Sequence, residues 1–316
     1  MNCMPKVSVI VPVYGVEKYI ERCAVSLFEQ TIQDIEYIFV DDCSPDRSIA
    51  ILESVIDKYR YRLNEENKTV KIERMKTNSG LPAVRQHGVR IATGDYIIHC
   101  DSDDWVNVDM YSEMYEYAVS NSSDLVLCDY YISNGKTPDK VFHKNITDFS
   151  KQTLLKRLMT SYDLNPVWSA MARRELYRDV MFPVAAMGED NTMMIQLVWK
   201  ADKLTYLPKA LYYYCLSDVS ITHTVDKETN MKKFKQVRDN SLISIKFLEK
   251  ENIIVPEKQL VAFMFTSKIG WIVSYPDDHE CKRLWNDYFK ISVWSVLFNP
   301  YIPLKSRVKY LIFLIR

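Results

Sequence analysis

The N-terminal half of this 316-residue chain predicts an α/β fold: a Rossmann-like, mostly parallel sheet flanked by helices, with a helical C-terminal extension. Three observations carry that expectation. Short β-rich runs alternate with longer segments of helical apolar periodicity, the pattern of repeated β-α-β units. The first run, Val7-Ser8-Val9-Ile10-Val11, is nearly continuous in apolar residues and reads as a buried strand. Two runs then stop abruptly in clustered carboxylates, Asp41-Asp42 and Asp101-Ser102-Asp103-Asp104, at the strand ends where such sheets hold ligands.

Each element has its own signal. After the first strand, broken by Pro12, Val16, Tyr19, Ile20, Cys23, Leu27 and Phe28 recur at helical spacing. Glu36 to Val40 is a second strand. Ser44, followed by Pro45, is placed to cap the next helix, whose apolar face is Ile49, Leu52, Val55, Ile56 and Tyr59. Val70 to Arg74 is a third strand, Leu81 to Ile91 a helix, Tyr96 to Cys100 the strand that delivers the acidic cluster, Met110 to Ser120 a helix, and Leu125 to Tyr131 a further strand. Gly94 and Gly135 read as plain turn residues.

Composition narrows the function. Lys and Arg number 41 and Asp and Glu 41, which excludes nucleic-acid binding by bulk electrostatics. The seven cysteines are scattered without a C-x-x-C pair, as expected of buried thiols in a reducing compartment. No run reaches the ~18 uninterrupted apolar residues of a spanning helix. A cytoplasmic location is the expectation. The turn after the first strand is Pro12-Val13-Tyr14-Gly15 rather than G-x-G-x-x-G, and no G-x-x-x-x-G-K-[ST] loop occurs, so a diphosphate would be held by metal rather than by a glycine cradle. Three carboxylates in four positions repel one another unless positive charge intervenes, and a hard divalent cation sharing phosphate oxygens answers that need.

The ordered set Val9-Ile10-Val11-Pro12-Val13-Tyr14, Gln30-Thr31, Asp41-Asp42-Cys43-Ser44-Pro45-Asp46, Asn78-Ser79-Gly80-Leu81, Gly94-Asp95-Tyr96 and Asp101-Ser102-Asp103-Asp104-Trp105 resembles glycosyltransferase family 2. Gly188-Glu189-Asp190 and Ser220-Ile221-Thr222 extend the resemblance, which covers roughly residues 5 to 225. It implies a GT-A nucleotide-sugar-binding fold and an enzyme that transfers a sugar from a nucleotide-diphosphate donor, UDP being the commonest base, to an acceptor hydroxyl with inversion. By resemblance, Pro12, Val13, Tyr14, Asp41, Asn78, Arg85, Asp101 and Ser102 serve the nucleotide, Asp103 binds Mg²⁺ or Mn²⁺, Asp190 is the catalytic base, and Trp168 and Glu189 lie toward the acceptor or sugar. The implied acceptor is a glycan or lipid-linked glycan in bacterial surface polysaccharide or lipopolysaccharide synthesis.

The roles are chemically coherent. A leaving diphosphate accumulates negative charge that a divalent cation neutralises, and an acceptor hydroxyl needs a carboxylate to take its proton. The Gly188-Glu189-Asp190-Asn191 segment also reads as an ordinary helix start. Trp168 either stacks on a sugar or packs in the core, whereas Tyr212-Tyr213-Tyr214 reads as core. Where the family has Asn, Gly, Asn, Asn-Lys-Leu and Arg, this chain has Gly15, Cys43, His87, Ser169-Ala170-Met171 and Cys215. These departures leave a second reading open, a sugar-nucleotide-binding or assembly protein without turnover. A nucleotidyltransferase is a third, though the basic glycine-rich loop it would need is missing.

Residues 1–228 are expected to form the catalytic domain, with a nucleotide-binding half at about 1–132 and an acceptor-binding half at about 133–228; 229–316 form a helical region. Phe234 to Leu248 and Gln259 to Tyr275 are its first two helices. The stretch from Ile291 onward is aromatic, aliphatic and basic. It packs back on the chain, forms a homodimer contact, or lies peripherally on a membrane surface.

Overall fold

The computed structural model describes residues 4–134, 138–216 and 226–315. Gly135 and Ser220-Ile221-Thr222 lie outside the described residues. Two compact units make up the chain, interleaved in sequence: residues 1–149, 166–182 and 197–223 form one, and 150–165, 183–196 and 224–316 the other.

Among the described residues, the first unit is built on a nine-stranded sheet. Strands β1 (Val7–Val13) and β2 (Ile35–Asp41) are buried along their whole length, and β3 (Lys68–Arg74), at the edge, is only partly covered. Val7 pairs in parallel with Ile35 on one side and with Tyr96 of β4 (Tyr96–His99) on the other, and β2 pairs in parallel with β3. This half is the predicted parallel sheet. Beyond β4 the sheet becomes mixed, a departure from the expected mostly parallel arrangement. Strand β6 (Leu125–Ser133) does not pair with β4; the four-residue β8 (Ala170–Arg173) runs between them, antiparallel to both. The long β9 (Leu204–Cys215) adds parallel to β6, and β5 (Trp105–Val106) and β7 (Pro138–Phe142) pair antiparallel with β9 and β6. The short β5 and β8, of two and four residues, have no alternating apolar pattern of their own that could be read from sequence.

Helices cover both faces. The buried residues of α1 (Ile20–Phe28), α2 (Ser48–Glu65) and α4 (Met110–Ser120) share a core with Val9, Val11, Tyr37, Phe39 and Ile98. Helix α3 (Leu81–Ile91) lies on the opposite face, where Ile10 points. A Cβ at Gly88 would sit 2.5 Å from the Ile10 side chain, so glycine there sets how closely α3 approaches the sheet. Helix α2 starts at Ser48, later than the Ser44-Pro45 cap predicts, and it is Asp46 that accepts from the Ser48 amide (3.1 Å) and hydroxyl (2.6 Å). Ser44 is already committed to the preceding strand ends, its amide donating to Asp41 and its hydroxyl to the Val13 carbonyl.

Gly94 is more than a turn residue. A Cβ there would meet the Ser8 backbone and hydroxyl at 2.8 Å. That close approach lets the Gly94 amide donate to Ser8 Oγ at 2.9 Å and to buried Glu36 at 3.2 Å. Glu36 also accepts from the Ser8 hydroxyl, the Thr93 amide and hydroxyl, and Lys71. Burial alone would raise its pKa, but Lys71, Ser8 and Thr93 together hold it below the usual carboxylate range.

The second unit is helical: α5 (Lys151–Thr160), the N-terminal part of α6 (Glu189–Lys200), α7 (Lys227–Lys250), α8 (Glu257–Ser274), α9 (His279–Asp287), α10 (Val293–Leu297) and α11 (Leu304–Ile315). Its core forms around Phe265, Trp285, Val296, Ile302 and Tyr310. Buried Lys268 on α8 donates to the carbonyls of Trp285 (2.7 Å), Tyr288 (2.5 Å) and Phe289 (2.8 Å), capping the end of α9, and burial lowers its pKa to about 8.

Glu36→Ala should cost about 1–3 kcal/mol, because it removes the buried acceptor of the Ser8, Thr93 and Gly94 donors. The depressed folded-state pKa means the Glu36 contribution is complete above the unfolded carboxylate value, about 4.3, and is lost as pH falls below it. The difference between wild type and variant in urea melts should therefore be largest at neutral pH and narrow in acid.

Candidate active site

The parallel register brings three strand ends to one edge. Val13 of β1 lies beside Asp41 of β2, and Ile10 beside His99 of β4. Backbone bonds carry the alignment past the strands: the Asp42 amide donates to Val13 O and the Cys100 amide to Ile10 O, both at 2.9 Å. Pro12 and Val13 are buried, and Tyr14 is half-exposed at the rim.

Asp41 and Asp42 divide the work of shaping this edge. Asp41 Oδ1 accepts from the Ser44 amide (2.7 Å), and its other oxygen lies 3.5 Å from Arg74. Asp42 grips the next loop with both oxygens, accepting from the amides of Ser79 (2.7 Å) and Gly80 (2.8 Å). This fixes Asn78-Ser79-Gly80 at the start of α3, where Gly80 takes a left-handed φ of 83° and Asn78 is exposed. One turn on, the buried Arg85 donates from Nη2 to Asp101 Oδ1 at 2.6 Å.

The acidic turn is held from three sides. Asp104 is fully buried and accepts from the Tyr212 hydroxyl and the Cys215 amide, each at 2.7 Å. Burial, reinforced by Asp103 and Asp101, pushes its carboxyl well above the usual range. The same Tyr212 oxygen accepts from the Asp101 amide at 3.0 Å. Arg22 donates to the Asp103 carbonyl (2.8 Å) while its guanidinium lies 3.8 Å over Trp105, whose indole stacks on Tyr213, itself stacked on Tyr131. Ser102 is buried within the turn. The three carboxylates are thus not equivalent. Arg85 supplies the positive charge opposite Asp101, Asp104 is turned inward as a brace, and Asp103 lies between them in sequence, half-buried.

This arrangement bears on a cation. Among the described residues, no three His, Cys, Asp or Glu side chains converge to hold an ion. A hard divalent cation can take as few as one or two carboxylate oxygens from a protein and complete its shell with phosphate and water.

Sequence reasoning missed Tyr212, Asp104, Asp42 and Arg22 as organisers. Asp42 and Asp104 stood inside the acidic motifs, but nothing local told a bracing carboxylate from a ligand. Tyr212 reads as core, and its ring is; only its hydroxyl serves the turn. Trp168 is 5% exposed, stacked on Tyr212 (centroids 4.1 Å apart) and Tyr214, and edge-on to Tyr130.

Glu189 and Asp190 belong to the second unit, in the first turn of α6. Glu189 is buried and Asp190 half-buried. Gly188 precedes them at φ 80°. Buried Asn240 of α7 holds the approach, accepting from the Val184 amide (3.0 Å) and donating to the carbonyls of Ala185 (2.6 Å) and Met187 (2.9 Å). Asn191 donates to Leu158 O and Asn165 Oδ1, both at 2.8 Å. Asn240 lay on a helix face with no sequence signal for this role.

Comparison with known proteins decides the family. The model of Glycosyl transferase family 2 matches residues 8–181. The chain belongs to that family. It is 32% identical over 233 residues to the uncharacterized glycosyltransferase EpsJ of Bacillus subtilis, a match covering 69% of this chain and 63% of EpsJ. The crystal structure of Staphylococcus aureus TarS residues 1–349 with UDP-GlcNAc superposes with a TM-score of 0.67 at 22% identity, covering 95% of this chain and 82% of that one. The mannosyltransferase PcManGT of Pyrobaculum calidifontis, solved with GDP-Man and Mn²⁺, gives 0.55 at 14% identity, covering 98% and 86%. These likenesses establish the GT-A fold. The chain spans 31% to 64% of the length of three curated relatives it matches.

Within this family-2 chain, Cys43 stands at a backbone position with φ 62°, in the turn between the Asp41-Asp42 pair and Ser44. Its thiol donates to Met75 O at 3.2 Å. A left-handed L-residue costs about 1–2 kcal/mol, and glycine relieves it while losing about 0.5–1 kcal/mol of unfolded-state entropy. Cys43→Gly should therefore stabilise the protein by about 0.5 kcal/mol or slightly more. Cys43→Ala, which keeps the strain, should give no gain in the same thermal melts.

Proposed function

We propose that the chain transfers a sugar from a nucleoside-diphosphate donor, UDP being the first choice, to an acceptor hydroxyl with inversion. The observation that carries the reading is the braced acidic turn at the carboxyl edge of the parallel strands, with Arg85 paired to Asp101 and Asp103 beside it, in a chain of this family. Pro12, Val13 and Tyr14 border the base, Asp41 accepts from it, and Asn78, Arg85, Asp101 and Ser102 hold the ribose and diphosphate. TarS with UDP-GlcNAc and PcManGT with GDP-Man support a nucleotide-sugar ligand for the fold.

Asp103 would hold Mg²⁺ or Mn²⁺, which when bound offsets the charge of the departing diphosphate. The protein's own contribution is orientation: Arg22, Tyr212 and Asp104 hold the turn that carries Asp103, so that its carboxylate would receive the cation without rearrangement of the turn. Asp190 takes the acceptor proton as the hydroxyl attacks, and Glu189 and Trp168 shape the acceptor side. Residues 1–228 serve as the catalytic domain, its nucleotide-binding half at about 1–132 and its acceptor-binding half at about 133–228, with 229–316 as a helical region. The acceptor is a glycan or lipid-linked glycan of a cell-surface polymer, reached from the cytoplasmic side. Among the described residues, no helix is long and apolar enough to cross a membrane.

Calorimetric titration with UDP, GDP and CDP, with and without Mn²⁺, tests the donor site. One nucleotide should bind in a metal-dependent way, and Asp103→Ala should lower that affinity by at least tenfold. Unchanged affinity in the variant would remove Asp103 from the metal site. Asp190→Asn should retain donor binding while turnover falls by about 10²-fold or more. Full turnover in Asp190→Asn would rule it out as base, and donor binding without transfer in wild type would favour a non-catalytic binding protein.

A further inference from the structure

Helix α11 is apolar on two opposite sides. Tyr310 and Phe313 face the core formed with Phe265 and Trp285. Leu304, Val308, Leu311, Ile312 and Ile315 follow the i, i+4, i+7, i+8, i+11 spacing of a second stripe, and all five are exposed, Ile315 at 84%. On a helical wheel that stripe lies opposite Tyr310 and Phe313, with Lys305 and Lys309 along one flank and Arg307 along the other. Arg307 Nη1 donates to Leu297 O at 2.8 Å, tying α11 to the end of α10. There Trp294 and Phe298 stack on one another while 68% and 72% exposed.

Charge says what covers this surface. The whole chain is balanced, yet no acidic residue occurs after Asp287, whereas Lys290, Lys305, Arg307, Lys309 and Arg316 fall in that stretch. A second copy of the chain docked through the same stripe would bring cation against cation with no local acid to answer. An anionic lipid surface supplies both what the stripe lacks, apolar depth and negative charge. A 12-residue helix is too short to span a bilayer that needs about 20 apolar residues, so it lies flat.

We propose that α10 and α11 form a peripheral docking face for anionic bilayers, with the α11 stripe and the Trp294-Phe298 pair entering the headgroup region and the exposed Lys305 and Lys309 held at lipid phosphates. The inference rests on the second unit's geometry and not on the donor chemistry proposed above.

The test is flotation of the full purified chain with phosphatidylcholine vesicles, with and without phosphatidylglycerol. Binding should need the anionic lipid and weaken in high salt. Lys305→Gln/Lys309→Gln should reduce the partition coefficient on the order of 25-fold, about fivefold for each charge. Leu311→Ser/Ile312→Ser should abolish binding while a cooperative thermal melt shows the fold retained; Trp294→Ser/Phe298→Ser, at the more exposed pair, provides an independent apolar variant that should also lose binding. Equal flotation of the charge and apolar variants with wild type would overturn the proposal. So would absence of flotation of wild type, or a dimer by light scattering that Leu311→Ser/Ile312→Ser converts to monomer.

Discussion

The hydroxyl of Tyr212 lies between the Asp101 amide and the Asp104 carboxylate, and the organisation of the candidate site depends on that bridge. A turn carrying three acidic residues in four would spread in water, since every conformation that separates the charges is favoured. Here one carboxyl is withdrawn into the protein, where burial raises its pKa and two donors satisfy it. Another is paired with Arg85. Asp103 is then presented by a turn whose neighbours are already committed. The donors that do this come from β9, more than a hundred residues further along the chain, so the site exists only when the mixed half of the sheet has formed.

The same logic of delegated carboxylates recurs. Asp42 spends both oxygens on backbone amides of the Asn78-Ser79-Gly80 loop, which sets where α3 begins and hence where Arg85 points. Glu36 does the equivalent at the other end of the sheet, gathering Ser8, Lys71, Thr93 and Gly94 around one buried group. In each case a buried acid is stable because donors outnumber it, and the reward is a fixed backbone rather than a free ligand. Gly88 and Gly94 complete the arrangement by removing a Cβ where two elements must touch.

The second unit applies the principle with a cation. Lys268 closes the end of α9 by donating to three carbonyls, and Asn240 closes the loop that leads to Glu189 and Asp190. Both are polar side chains buried where helical periodicity alone expects apolar ones. They hold irregular backbone, which a helix bundle must otherwise leave unsatisfied.

The sequence by itself determined the parallel half of the sheet, because β1, β2 and β4 are strongly apolar and separated by helices long enough to return the chain. It also determined that the acidic motifs would meet at one edge, since parallel strands deliver their ends to the same side. What it could not determine was which acid braces and which is presented, since that depends on Tyr212, Cys215 and Arg85 arriving from other elements. Nor could it show the insertion of β8 between β4 and β6, a pairing decided by the backbone hydrogen bonds of one four-residue strand to segments distant in sequence. The two-sided character of α11 is half legible: both apolar stripes are in the sequence, but only the packed structure shows which one the core has claimed.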